Sequence, residues 1–194
     1  MTRTPPTFQN DPDLEASGRG DRQAFRRVVE RHYSYAYRLA FRTLRSIPDA
    51  EDVVQETFIK VWDHLPRFDR SARFTTWMYT IVANLCIDRL RRRERWRSWM
   101  RPEGYDWENA KDPVDAVQHH ETQDLADIVR SLAGKLSPVQ RIVFALRDLE
   151  DLDIAEVAAI TGLSIGSVKT NLSYARRRIR TYLDTEYGIT GLHQ

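Results

Sequence analysis

Two adjacent helical patterns, residues 48–65 and 74–93, leave this chain little freedom in how it folds. Neither has a glycine or proline beyond its first residue. In the second, FTTWMYTIVANLCIDRLRRR, Trp77, Ile81, Leu85 and residues 87–90 mark an apolar stripe at helical spacing. Arg89, Arg91, Arg92 and Arg93 finish in water. Aromatics thus open the run, an amide (Asn84) stands midway, and guanidinium groups close it. Aromatic rings stack on unpaired bases, an amide reads base edges and arginines neutralise phosphates. The same run also reads as a core helix with a solvated basic tip, and taken alone it does not choose.

The first pattern does more to choose. Residues 48–51, PDAE, suit a helix N-terminus, and Val53, Val54, Phe58, Val61, Trp62 and Leu65 form a face to bury. Asp52, Gln55, Glu56 and Asp63 lie mostly elsewhere and make an acidic surface beside a basic neighbour. Such a patch repels DNA, so it points to a basic protein partner. The sequence PDAEDVVQETFIKVW followed by FTTWMYTIVANLCIDRLRRR resembles the core domain of bacterial sigma factors, of the small extracytoplasmic-function (ECF) type.

The rest of the chain supplies a second basic unit. With 30 basic and 28 acidic residues the net charge of +2 is uninformative, but its distribution is not. Seven arginines lie in residues 89–101 against one glutamate, and four more lie in residues 175–180. Ser137-Pro138 reads as an N-cap and first helical position, with Val139, Ile142, Val143 and Leu146 as the buried face. Asp153 and Glu156 are spaced as a capping box. The turn TGLS (residues 161–164) then leads into a last helix from Ile165 to about Asp184, with Ile165, Val168 and Leu172 facing inward. Helix, short glycine-bearing turn, helix is a helix-turn-helix, whose second helix enters the major groove. Its projecting side chains are Ser167, Lys169, Thr170, Asn171, Ser173, Tyr174 and Arg177. The N-terminal half is placed to reach base edges and the arginines to reach phosphates. LEDLDIAEVAAITGLSIGSVKTNLSYARRRI resembles the minus-thirty-five-binding domain of the same sigma family. Asn171 and Tyr174 stand where many relatives carry arginine, which implies a different promoter preference.

The fold class expected is all-α, with two small helical domains joined by a flexible linker. The boundaries are a loose N-terminal arm over residues 1–20, a core domain over 21–96, a linker over 97–121, a helix-turn-helix domain over 122–186 and a tail over 187–194. Asp21 caps the first long helix, whose stripe is Phe25, Val28, Val29, His32, Tyr33, Ala36, Leu39, Ala40 and Leu44. Residues 67–73, RFDRSAR, form a polar loop that is either a plain connector or the wall of a pocket for an everted base. Within the linker, Trp99, Tyr105 and Trp107 imply packing on something. A helix is expected through Leu125, Ile128, Val129 and Leu132, and His119-His120 reads as surface rather than metal site. Cys86, the single cysteine, precludes an intramolecular disulfide and reads as a small core residue. No apolar run approaches the ~20 residues of a membrane span, and the start lacks a signal segment; the chain is expected to be cytoplasmic, without membrane insertion.

The resemblance implies the rest: a sigma factor that lends core RNA polymerase its promoter specificity, with no cofactor, no metal and no catalytic residues. It implies that Asp52, Gln55 and Glu56 bind the clamp helices of the largest subunit, that the flap is a further contact, and that an anti-sigma protein holds the factor inactive. It places Arg73, Phe74 and Asn84 at a flipped base of the minus-ten element, with Trp77 and Tyr79 at the melted junction and Arg89 and Arg92 on the backbone. Trp77 also reads as core, the stronger reading for that residue. Two other classes compete: a helix-turn-helix activator or repressor without stable polymerase binding, and a nuclease using acids of residues 49–56 for a metal. The first leaves the acidic helix without a job; the second lacks an inward-facing carboxylate pair.

Overall fold

The computed structural model describes residues 11–99 and 135–187, and every regular element among them is helical. α1 (Pro12–Gly18) is capped by Asp11, whose carboxylate accepts from the Asp13 N–H, and has proline in its first turn. Arg27 and Arg31 of the next helix hold it through Asp11 and Asp13. The arm expected to be loose over residues 1–20 is therefore, from Asp11 on, a capped helix docked by ion pairs.

α2 (Arg22–Leu44) starts at Asp21, which accepts from the Gln23 and Ala24 N–H groups, and stops at Arg45, left-handed at φ +55°. α3 (Ile47–His64) begins one residue before the expected proline, because Ser46 is the cap: its hydroxyl accepts from the Asp49 N–H at 3.4 Å. A 3-10 turn (Leu65–Arg67) follows, then a loop in which Asp69 accepts from the Ser71 N–H. α4 (Phe74–Trp99) comes next and is the centre of the fold.

α4 packs on α2 and α3 along one side and on the C-terminal helices along the other. Burial on both sides moves its seam. The residues taken inside are Phe74, Thr75, Met78, Tyr79, Val82, Ala83, Cys86 and Leu90. The expected stripe through Trp77, Ile81, Leu85 and Ile87 is only half-buried and flanks that seam. A one-sided apolar pattern predicts one buried face; here two sets of neighbours share the helix, and the buried set, from Phe74 and Tyr79 down to Ala83, follows their positions and not the strongest apolar stripe.

The C-terminal unit opens with α5 (Pro138–Phe144), where Ser137 and Gln140 form a reciprocal capping box. A π-type turn (Ala145–Leu149) leads through Asp151, at φ +57°, to α6 (Ile154–Thr161), capped by Asp153. Gly162, at φ +68°, closes α6 in the left-handed region that glycine adopts without strain. α7 (Ile165–Tyr187) completes the helix-turn-helix. Val157, Ile160, Val168, Leu172, Ala175, Ile179 and Leu183 are buried, as the pattern requires. Ile165 is the exception: it is 51% exposed, because at the first position of α7 it projects from the turn while Val168 takes the inward site. The helix α4 runs on through the first residues of the expected linker to Trp99, which is 84% exposed and not packed as expected, and α7 takes in Tyr187; the rest of the linker and tail, His119-His120, Tyr105, Trp107 and the helix through Leu125–Leu132 lie outside the described residues.

Candidate nucleic-acid interface

Three surfaces carry the residues singled out above. The first is on α3. Asp52 and Gln55 are exposed and Glu56 is half-exposed, with Glu56 facing Lys60 one turn on at 3.5 Å. Beside them runs an apolar groove of about 560 Å³, walled by Phe25, Val29 and Tyr33 of α2 and by Val54, Phe58 and Trp62 of α3. Gln55 and the 56%-exposed Ile59 also line it. Burying one aliphatic or aromatic side chain there is worth roughly 1.5–3 kcal/mol, so the acidic patch has an apolar anchor beside it that the sequence pattern did not disclose.

The second surface is on α4 and the loop before it. Asn84 is exposed and its amide makes no hydrogen bond among the described residues. Arg73 and Arg92 are exposed. The other expected members are elsewhere. Phe74 is 3% exposed, with His32 at 5.0 Å and Phe68 edge-on at 6.0 Å. Trp77 is half-buried and stacks on Phe68 at 4.6 Å, which is packing of the kind its core reading calls for. Phe68, Phe74 and Trp77 thus make an aromatic floor under the 67–73 loop. Tyr79 is 1% exposed and lies among Tyr35 and Arg38 of α2 and Glu150 and Glu156 of the C-terminal unit. Its hydroxyl is buried with no hydrogen-bond partner among the described residues, and burial raises its pKa well above the ordinary tyrosine value. In this conformation Phe74 and Tyr79 are interior rings and touch no solvent-borne ligand.

Arg89 is also committed. It donates to Asp49 at 2.9 Å and to Asp52 at 3.2 Å, while Arg93 pairs with the other Asp49 oxygen. Burial acts to raise the Asp49 pKa, but the Ser46 contact and the two arginines outweigh it and hold the carboxylate below its usual range. These pairs bolt α4 to α3. They also turn the Asp49 and Asp52 carboxylates toward guanidinium groups, an arrangement unlike an open metal site.

The third surface is the outer face of α7. Lys169, Thr170, Ser173, Tyr174 and Arg177 are exposed, with the Arg177 guanidinium 5.0 Å from the Tyr174 ring centre. Ser167 and Asn171 are half-buried and spent within the helix: Ser167 shares a hydroxyl contact with Ser164, and the Asn171 amide donates to the Ser167 carbonyl at 2.9 Å. Arg176 grips Asp148 through two hydrogen bonds, whereas Arg178 and Arg180 are exposed and were not singled out from the sequence. Also unforeseen is Glu150, 6% exposed, which accepts from Arg38 and Arg42 across the two units. No spacing rule links residues so distant in sequence.

The family description Sigma-70 region 2 matches residues 28–96, and Sigma-70 region 4 matches residues 126–179. The ECF RNA polymerase sigma factor SigE of Mycolicibacterium smegmatis is 35% identical over 156 residues, covering 80% of this chain and 60% of that protein. SigW of Bacillus subtilis, an ECF RNA polymerase sigma factor, is 30% identical over 181 residues, covering 85% of this chain and 91% of the relative. Among solved structures, CnrH in complex with the cytosolic domain of CnrY matches with a TM-score of 0.64 at 26% identity, over 91% of this chain and 97% of that one. The sigma factor RpoE in complex with the anti-sigma factor NepR from Bartonella quintana matches with a TM-score of 0.62 at 25% identity, over 84% and 98%. Two matched regions in the order and places of the two helical units, with a relative covered almost end to end, leave one assignment: the chain belongs to the ECF family of RNA polymerase sigma factors.

Proposed function

We propose that this protein binds core RNA polymerase and directs initiation at its own class of promoters, reading a minus-thirty-five duplex with α7 and capturing the melted minus-ten strand at α4. The observation that carries the reading is the separation of surfaces. An acidic, partly apolar patch on α3 suits a basic protein, and an uncommitted row of Lys169, Thr170, Ser173 and Arg177 on α7 suits DNA. Asp52, Gln55 and Glu56 are the proposed contacts for the clamp helices. Asn84, with Arg73 and Arg92, is the proposed minus-ten set. Phe74 and Trp77 serve there as the packed floor that holds the 67–73 loop.

Extruding a base costs a few kcal/mol, and stacking returns roughly 1–3 kcal/mol per base. Capture by a preformed site therefore holds an opening without fuel. An anti-sigma protein is the proposed inhibitor, on the ground that one similar chain was solved with such a partner. The exposed Trp96 and Trp99, ring centres 6.3 Å apart, are the proposed anchors for it. Run-off transcription with purified core polymerase on a pool of genomic promoter fragments tests the function. Initiation that depends on this protein is expected; duplex binding without initiation would make it an ordinary helix-turn-helix regulator.

A further inference from the structure

α1 lies against α2 and also against the 3-10 turn Leu65–Arg67 that opens the 67–73 loop. Seven residues cannot sustain a helix alone, and this one is seated by groups drawn away from water. Leu14 packs on the core, Ser17 is buried with its hydroxyl on the Asp13 carbonyl, and the buried Asp11 carboxylate pairs with Arg31 at 2.8 Å. The rest of α1 therefore has a fixed place beside the loop.

Glu15, Gly18 and Arg19 stand at i, i+3 and i+4, on one face of that turn of chain. The Glu15 carboxylate accepts from Arg19 at 2.7 Å through one oxygen. Its other oxygen faces Arg70 of the loop at 3.9 Å, too far for a hydrogen bond. The Arg70 guanidinium passes over Gly18, where a β-carbon would stand 3.6 Å from Arg70 Nη2 and 3.7 Å from the Leu65 carbonyl oxygen. A methyl group just fits there, and anything longer contests the space of the guanidinium.

Two cations thus share one carboxylate, and all three side chains are half-exposed or more. Such pairs add little stability. What they do is orient: an arginine gives up rotamer freedom to hold a ligand, and Glu15 and Gly18 narrow that freedom for Arg70 beforehand. A phosphate takes a guanidinium fork through two parallel bonds, which makes it a better partner than the carboxylate that Arg70 now faces.

We propose that the strand-capture surface extends from the 67–73 loop onto α1, with Arg70 and Arg19 contacting backbone phosphates of the melted strand and Glu15 and Gly18 as positioning residues. This rests on the loop and α4 being the strand-capturing site. A flipped base leaves its flanking phosphates at the mouth of its pocket, and these are the ligands the two arginines fit. Part of the stretch expected to be a loose arm is then part of the reader.

The test measures binding of holoenzyme, assembled from core polymerase and the full chain, to two probes from a promoter found by run-off transcription. One is duplex ending upstream of the minus-ten element; the other is a junction DNA whose minus-ten strand is unpaired. Each phosphate contact to a single strand contributes about 0.7 to the slope of log K against log salt. Arg70→Gln and Arg19→Gln are each expected to lower the junction slope by about that amount, with duplex binding and Tm unchanged. The advantage of the unaltered protein then shrinks about 2.6-fold between 50 and 200 mM salt. Arg70→Lys is expected to restore the slope. Gly18→Leu is expected to weaken junction binding in the unaltered chain and to add nothing to Arg70→Gln.

Glu15→Gln separates positioning from charge. A carboxylate that merely repelled the strand would, once neutralised, give tighter junction binding; the positioning role is expected to give weaker binding, and no effect in the Arg70→Gln background. Tighter binding overturns the role of Glu15, and unchanged slopes in both arginine variants overturn the inference. An equal loss of slope in Arg26→Gln, whose side chain pairs with Glu30 along α2, would assign the effect to net charge and overturn it too. If Asn84→Ala weakens junction binding while the two arginine variants do not, capture at α4 stands and its extension onto α1 falls. Were the unaltered holoenzyme to gain nothing from the unpaired strand, the capture reading itself would fall and take the extension with it.

Discussion

Replacing Arg89 by alanine separates a structural arginine from a DNA-binding one. Arg89 sits among exposed arginines on α4, and its place in the run suggests a phosphate contact. Its geometry says otherwise. The side chain is 24% exposed and bridges Asp49, 21% exposed, and Asp52, 61% exposed. A hydrogen bond to a charged group contributes about 1.5–3 kcal/mol when sheltered, and an exposed ion pair about 0–1 kcal/mol. The Asp52 contact belongs to the lower range, and Asp49 keeps Arg93 after the substitution. The expected loss is therefore about 1–2 kcal/mol, which for a chain of this size lowers Tm by about 3–6 °C. Part of the loss should vanish in high salt, where the wild-type pairs are themselves screened.

The matching measurement is the salt dependence of holoenzyme binding to promoter duplex. Each phosphate neutralised contributes about 0.9 to the slope of log K against log salt. Arg89→Ala is expected to lower Tm and leave that slope alone. Arg92→Ala, exposed and without an ion pair among the described residues, is expected to lower the slope by about one and leave Tm unchanged. If Arg89→Ala instead lowered the slope by one with no thermal effect, the α3–α4 bolt would be an incidental contact and Arg89 a phosphate ligand.

His32 is fully buried, and burial, reinforced by Arg31, lowers its pKa from 6.5 to about 4. The unfolded chain takes up that proton first, so stability is full above pH 6.5 and falls by about 3 kcal/mol as pH drops to 4. Urea unfolding at pH 7.5 and pH 5 reads this directly, and an equal pH response in His32→Leu would assign the loss to other groups. Lys169→Ala is expected to weaken duplex binding and reduce the salt slope, whereas Arg176→Ala, by freeing Asp148, should cost stability instead; swapped outcomes in binding and melting assays would reverse the two roles. Asn84→Ala is expected to keep duplex binding and lose permanganate reactivity at the minus-ten element, and normal reactivity would remove the amide from the capture site. Glu56→Lys is expected to lower core-polymerase affinity at least tenfold, about 1.4 kcal/mol, with an unchanged Tm; native affinity would move the docking surface off α3.

What the sequence made legible was whatever local chemistry decides. Asp21, Ser137 and Asp153 cap the helices they were expected to cap, and Gly162 turns the chain where a left-handed residue was needed. Val168 and Leu172 face inward because the helical period puts them there. The errors fall where two surfaces claim one residue. Ile165 obeys the apolar pattern but stands at a helix end with no neighbour to cover it. The α4 stripe is displaced because periodicity reports amphipathicity and not how many partners a helix has. Arg89 and Arg176 look like their exposed neighbours in sequence; only the positions of Asp49 and Asp148 tell them apart.

Tyr79 is the sharpest instance. Its place in the run marks it for the melted junction, yet it is 1% exposed and closed in by α2 and the C-terminal unit. The apolar core runs through both units, so parting them would forfeit about 25 cal/mol for every Å² of apolar surface uncovered. Glu150, held by Arg38 and Arg42, adds little to that total but fixes one register for the contact, because a carboxylate taken out of water loses in hydration most of what its pairing returns.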